Sequence, residues 1–202
     1  MKKRLPMIIG LILTILFAVW MGNTKKAHII YDDNVNTASF DSLGVNTEEQ
    51  VLSQKFVAKE DVFDGVAIKQ TVSGDHSIST VKVDIIDDET GLTVASAEVG
   101  GSDFRARKTY YFKTDRITGA KGRIYTVNVT QSGSTATDGV VFYYQSDPDA
   151  EYKMSVAGNE INGVLVMKTI TERFDVERFL VMLFAVWFIW GFMYFLYRLF
   201  SK

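Results

Sequence analysis

The chain has no cysteine, two prolines and two histidines in 202 residues. Without thiols there are no disulfides, no thiolate metal sites and no cysteine nucleophile. In a domain outside the cytoplasm this fits a cell that does not rely on disulfides, as in many Gram-positive bacteria. An excess of basic residues is also missing: 22 Lys and Arg stand against 24 Asp and Glu, so nucleic acid is not an expected partner. The prolines, Pro6 and Pro148, both fall outside the segments that read as strands. His28 lies in a polar stretch and His76 in the turn Ser73-Gly-Asp-His-Ser77. Neighbouring residues in a turn do not supply an oriented base and nucleophile, and no Gly-x-Ser-x-Gly elbow is present. Gly100-Gly101-Ser102 lacks the following helix and lysine of a phosphate loop. The glycosylation sequon Asn128-Val-Thr130 falls inside a strand reading. No catalytic residue and no cofactor are assigned, and the expectation is a protein that is not an enzyme.

What the chain does have is long apolar runs. Phe179–Tyr197 carries no formal charge. Its roughly 19 residues make ~28 Å of α-helix, enough to cross a hydrocarbon core of ~30 Å. Tyr194, Tyr197, Arg198 and Lys202 at its end suit a membrane interface. Gly191 has only Ala185 as a small neighbour, so this run lacks a Gly-x-x-x-Gly face. Its aromatic content suits lipid, or a helix of a partner subunit. A second run, residues 5–21, follows the basic start Lys2-Lys3-Arg4. A cleaved signal peptide would need small residues before its cleavage site, but Ala18 is followed by Val19, Trp20 and Met21. The adopted reading is an uncleaved first span. The distribution of basic residues then puts both termini in the cytoplasm and the middle outside.

The organisation expected is a cytoplasmic start at 1–4, a transmembrane helix at 5–21 and an extracytoplasmic linker at 22–50 with a short strand at His28–Tyr31. A β-sandwich follows at 51–170, then a juxtamembrane segment at 171–178, a second transmembrane helix at 179–197 and a cytoplasmic end at 198–202. A structured arm packed on the domain is the alternative for 22–50. The sandwich rests on short segments with period-two alternation, separated by turn signals. Ser79–Ile86 is the clearest, with Val81, Val83 and Ile85 alternating with Lys82 and Asp84. Asp87-Asp-Glu-Thr-Gly91 reads as its hairpin turn. Strands are expected over Val51–Ala58, Gly65–Val72, Leu92–Val99, Thr109–Lys113, Arg123–Thr130, Gly139–Gln145, Tyr152–Val156 and Glu160–Ile170. The fold class is an all-β sandwich between two membrane helices.

Gln54-Lys-Phe56, Phe63-Asp-Gly-Val-Ala-Ile68, Val81-Lys-Val-Asp-Ile85 with Gly91, Tyr110–Phe112 and Gly119-Ala-Lys-Gly-Arg-Ile-Tyr125 together resemble a family of extracytoplasmic modules. These are the jelly-roll-like sandwiches attached to bacterial multi-span membrane proteins of envelope-polysaccharide assembly. Phe63 departs from the family's leucine, Arg123 displaces its Lys-Tyr spacing, and the polytopic transferase body is missing. The resemblance implies an accessory or binding subunit in the cell membrane, with a polytopic membrane protein and a surface glycan as candidate partners beside the bilayer. The runners-up are a subunit of an envelope-polymer hydrolase or transferase, and a structural scaffold.

Sugar recognition uses exposed aromatic faces. In Tyr110-Tyr111-Phe112 and Phe142-Tyr143-Tyr144, alternation turns neighbouring rings to opposite faces, so at least one ring of each run leaves the core. Tyr111 and Tyr143 are the candidate ligand-binding residues; cross-strand aromatic packing is the competing reading. Asp84, Asp87, Asp88 and Glu89, and Asp147, Asp149 and Glu151, are clusters of the oxygen ligands that calcium takes from loops. They lack EF-hand spacing and read better as solvated turn carboxylates, so no metal site is assigned.

Overall fold

A computed structural model describes residues 5–48 and 50–200; the cytoplasmic assignments of residues 1–4, 201 and 202 lie outside them. The chain forms two compact units, one spanning Ala27–Thr171 and one formed by the chain up to Lys26 and from Glu172 onward.

The second unit holds two α-helices, α1 (Leu5–Gly22) and α2 (Val176–Phe200). Among the described residues only α2 is long and apolar enough to cross a membrane; the apolar stretch Ile9–Gly22 of α1 is shorter. The two-span arrangement is therefore not carried by helix length. No side chain of α2 is buried: Phe188 is 75% and Phe200 81% exposed, and a stripe at Phe179, Met182, Leu183 and Val186 is half-buried. A helix apolar on every face has no aqueous side, which is the signature of a segment solvated by lipid.

The larger unit is a sandwich of two sheets. Its strands are β1 (Asn23–Ile29), β2 (Asp41–Ser42), β3 (Leu52–Val57), β4 (Val62–Ser73), β5 (Thr80–Asp87), β6 (Thr93–Gly100) and β7 (Lys108–Thr118). They continue as β8 (Ile124–Ser132), β9 (Gly139–Ser146), β10 (Met154–Val156), β11 (Asn159–Ile161), β12 (Gly163–Leu165) and β13 (Met167–Phe174). Six strands run in the order β11-β10-β3-β8-β5-β6. The other seven run β1-β13-β4-β9-β12, with β7 on the free side of β4 and β2 on β9.

Alternation fills the space between the sheets. Val81, Val83 and Ile85 of β5 are fully buried and sit opposite Gln131, Val129 and Val127 of β8. Phe56, Phe63 and Tyr125 form an aromatic cluster with ring centroids 5.4–5.9 Å apart, and Phe112 and Phe142 are buried beside it. Buried Gln54 ties three segments together: its Nε2 donates to the carbonyls of Lys55 and Tyr152, and its Oε1 accepts from the Leu165 amide at 2.9 Å.

Two glycines have backbone reasons. Gly91 closes the β5–β6 hairpin at φ 69° and returns its amide to the Asp87 carbonyl. Gly65 sits at a bulge in β4 with φ 143°, where an added Cβ would lie 2.1 Å from the Phe112 carbonyl oxygen. The bulge turns Asp64 onto Arg116, whose Nε and Nη2 donate to the two carboxylate oxygens at 2.7 and 3.2 Å.

Two segments differ from their sequence reading. Residues 22–50 carry β1 and β2 where a linker with a strand at His28–Tyr31 was expected. The Ile30 amide donates to the Met167 carbonyl and the Leu43 amide to the Phe142 carbonyl, and both side chains pack on the core. The stretch is an arm laid on the sandwich. Glu160–Ile170, expected as one strand, divides into β11, β12 and β13, each with a different neighbour.

Candidate binding site

The alternation of the aromatic runs is visible in the seven-stranded sheet. Phe112 and Phe142 point into the core, with Tyr110 and Tyr144 packed against it. Tyr111 and Tyr143 are half-buried on the opposite face. Tyr111 sits across from Ala67, which in turn sits across from Lys168, so the three form one cross-strand row. The Tyr111 hydroxyl donates to the Asp64 carbonyl at 3.1 Å, which fixes the ring near the bulge.

Beside this row lies a pocket of about 340 Å³ lined by Tyr31, Phe40, Ala67, Lys69, Val166 and Lys168, with Arg107, Lys108 and Thr109 at one side. The arm supplies Tyr31 and Phe40, whose rings meet edge-to-face at 5.4 Å. The Lys69 ammonium lies 4.8 Å from the Phe40 centroid and 5.5 Å from that of Tyr143, within cation–π range of both. Tyr143 thus touches the pocket through Lys69, whereas Tyr111 shares the row of Ala67 and Lys168; neither ring lines the pocket itself.

The electrostatics of this face are one-sided. Lys69, Arg107, Lys108 and Lys168 line the pocket, and no carboxylate does. Among the described residues none of the four makes an ion pair, although Lys55, Lys82, Arg116, Arg123 and Lys153 each do. Arg107 holds a left-handed backbone at φ 56°, a strained conformation for a residue with a Cβ. Burial raises the pKa of Tyr31, and nearby Asp33 adds to the rise, so this end of the pocket keeps a neutral phenol at neutral pH.

These residues come from four separated stretches of chain. Lys69 occupies an outward position of an alternating strand, which sequence could place. Its meeting with Phe40 depends on the arm, which has no alternation to read.

The other sequence candidates are differently engaged. The hairpin carboxylates are held by cations: Asp84 by Lys82, Asp87 by Arg123, Asp88 by Lys55, and Glu89 by Arg123. Among the described residues no group of three or more metal-ligating side chains comes together. In the His76 turn, Asp75 accepts from the Ser77 amide and hydroxyl, while the His76 ring is directed to the Gly74 carbonyl. The imidazole is not set on the serine. A second cleft of about 240 Å³ is lined by His28, Asp32, Lys55, Asp147, Glu151 and Tyr152, among others. Asp32 there is held below the usual carboxylate range, mainly by the Asn34 amide, and so stays ionised at neutral pH.

No protein-family model matches the chain, and no curated protein does. Among solved structures it is similar in part to Xylanase10C from Cellvibrio japonicus in complex with xylopentaose. The identity is 11% and the TM-score 0.34, over 67% of this chain and 27% of that one. It is likewise similar to the VP2 protein of infectious bursal disease virus, at 13% identity and a TM-score of 0.30, over 75% of this chain and 36% of that one. The chain spans only about a quarter to a third of either protein, and at these scores the likeness assigns no function. What the fold defines is a two-sheet β-sandwich protein with, among the described residues, one helix of membrane-spanning length.

Proposed function

We propose that the chain is a non-catalytic, membrane-anchored binding protein of the bacterial envelope, an accessory subunit whose jelly-roll-like sandwich engages a surface glycan. The observation that carries this is the pocket on the seven-stranded sheet, where aromatic rings and uncompensated cations share one concave surface beside Tyr143. Sugars are held by ring faces together with a few placed polar groups, and this surface offers both. A multi-span membrane protein of polysaccharide assembly is the partner suggested by the sequence resemblance.

Two spans anchor the sandwich in this reading. Helix α1 has 18 residues, ~27 Å at 1.5 Å per residue. On one of its faces Gly10, Thr14, Ala18 and Gly22 recur every four residues, with Thr14 and Ala18 buried. An added Cβ at Gly10 would lie 2.2 Å from the Trp190 ring of α2, and one at Gly22 would lie 3.2 Å from the Phe179 Cβ of the same helix. Small residues that admit a large ring are how helices pack in lipid, where the hydrophobic effect cannot join them. A signal peptide has no need of such a face. Both termini are then cytoplasmic and the sandwich is outside.

The absence of native cysteine makes the topology directly testable. Single variants Ser77→Cys and Ser201→Cys are treated in intact cells with a membrane-impermeant maleimide. Labelling of Ser77→Cys in intact cells, and of Ser201→Cys only after permeabilisation, is the expected result. The reverse pattern, or release of a shortened sandwich into the medium, would refute the two-span reading.

A further inference from the structure

We infer that the pocket's occupant is an anionic carbohydrate, one that carries a carboxylate or a phosphate on its repeating unit; this rests on the glycan-binding reading above. A pocket for a neutral sugar is usually lined by amides, carboxylates and hydroxyls that both accept and donate. This one presents three lysines and an arginine, which only donate. The ammonium groups of Lys69, Lys108 and Lys168 and the Arg107 guanidinium form no hydrogen bond or ion pair with a described residue. Their donors remain available to a ligand.

The arrangement is also built rather than scattered. Lys69 is held between two rings, its ammonium 4.8 and 5.5 Å from their centroids, which limits the rotamers that a free lysine samples. Lys168 stands on the neighbouring strand, in the same cross-strand row as Tyr111. The negative group of the ligand is therefore expected between Lys69 and Lys168, with its sugar ring towards Tyr31. Arg107 and Lys108 lie where the next repeat of a polymer would pass.

The test uses the full chain in detergent micelles and isothermal titration with three oligosaccharides of equal length: a neutral glucan, a polygalacturonate and a glycerol-phosphate-decorated glycan. Phosphatidylglycerol vesicles are run in parallel. Expected is binding of one or both anionic glycans at least tenfold tighter than the glucan, weakening as salt is raised past the level that screens exposed charges. Lys69→Gln with Lys168→Gln should weaken it by about tenfold or more, about 1.4 kcal/mol. Lys121→Gln in a distant turn should leave it unchanged, and Lys69→Arg should retain most of it. Circular dichroism melts of each variant separate lost binding from lost fold. Equal binding of neutral and anionic glycans would overturn the charge inference and leave the glycan reading standing. Binding of vesicles alone, or of nothing, would overturn both.

Discussion

On the six-stranded sheet, Lys55 reaches Asp88 at 2.7 Å, Lys82 reaches Asp84 at 2.9 Å, and Arg123 sits between Asp87 and Glu89 at 2.6 and 3.2 Å. Ser96 and Thr126 hydroxyls bond to the same carboxylates. Around the pocket of the seven-stranded sheet, Lys69, Lys108 and Lys168 have no such partners among the described residues; pairing on that sheet lies away from the pocket, between Arg116 and Asp64 at the bulge and between Lys25 and Glu172 on β1 and β13. Both surfaces have the alternation of half-buried strands. They differ in what was done with the outward positions. Paired charges between strands help to hold neighbouring strands in register. The unpaired cations beside the aromatic rings make no such contribution, which is why the proposed site is placed there.

The largest expected effect removes the comparison altogether. Phe142 is 1% exposed and supports both sheets, so Phe142→Ala should cost about 3–5 kcal/mol and unfold the sandwich as one body. Circular dichroism of the strand signal against denaturant would measure it. If only the seven-stranded sheet melted, the shared core would not be a single cooperative unit.

A smaller effect separates the sheets. Arg123→Ala strips the partner from Asp87, whose side chain is only 4% exposed, and should cost about 2 kcal/mol. Lys168→Gln removes an unpaired cation and should stay within about 0.5 kcal/mol of the parent. The same melts decide. A Lys168→Gln loss as large as that of Arg123→Ala would make Lys168 a structural residue and end its role in recognition.

The smallest effect is a matter of pH. Asp88 is held below the ordinary carboxylate range, first by the hydrogen bond from Lys55 and then by that from Thr126. In the unfolded chain its pKa returns to about 4. The stabilisation is therefore present above that pH and is lost as pH falls through the lower folded value. Lys55→Ala should flatten this acid limb while lowering neutral-pH stability by less than about 1 kcal/mol, as suits an exposed pair. An unchanged acid limb would show that Lys55 is not what holds Asp88.

The strands were legible where alternation was strict. Val81, Val83 and Ile85 read inward and Lys82 outward because a period of two leaves no other register. Turn chemistry located the β5–β6 hairpin through Gly91. The arm was not legible, because its anchors, Ile30, Tyr31, Phe40 and Leu43, are spaced without period among polar residues, and Phe40 meets Lys69 and Tyr31 only in the fold. Nor was the division of 160–170, where Gly163 sits under Tyr144 with no room for a Cβ and Val166 steps between two strands. Outward aromatics at 111 and 143 followed from alternation alone. The pocket did not, since Lys69, Arg107 and Lys168 converge only once β4, β7 and β13 are neighbours. Each of those cations alone reads as an ordinary solvated lysine or arginine.

Val166 has a consequence in the time domain. Its amide donates to the Tyr143 carbonyl and its carbonyl accepts from the Lys69 amide, both at 2.9 Å, so one buried residue bridges the backbones that carry two groups of the pocket surface. β4 pairs with β13 over residues 66–68 and with β9 from Gln70 onward, so this bridge occupies the junction between the two ladders. The amide protons of Lys69 and Val166 are thus an internal clock for the site. Their exchange with deuterated water is governed by how often that junction opens, and an occupant that spans Lys69 and Lys168 should slow it without touching either proton.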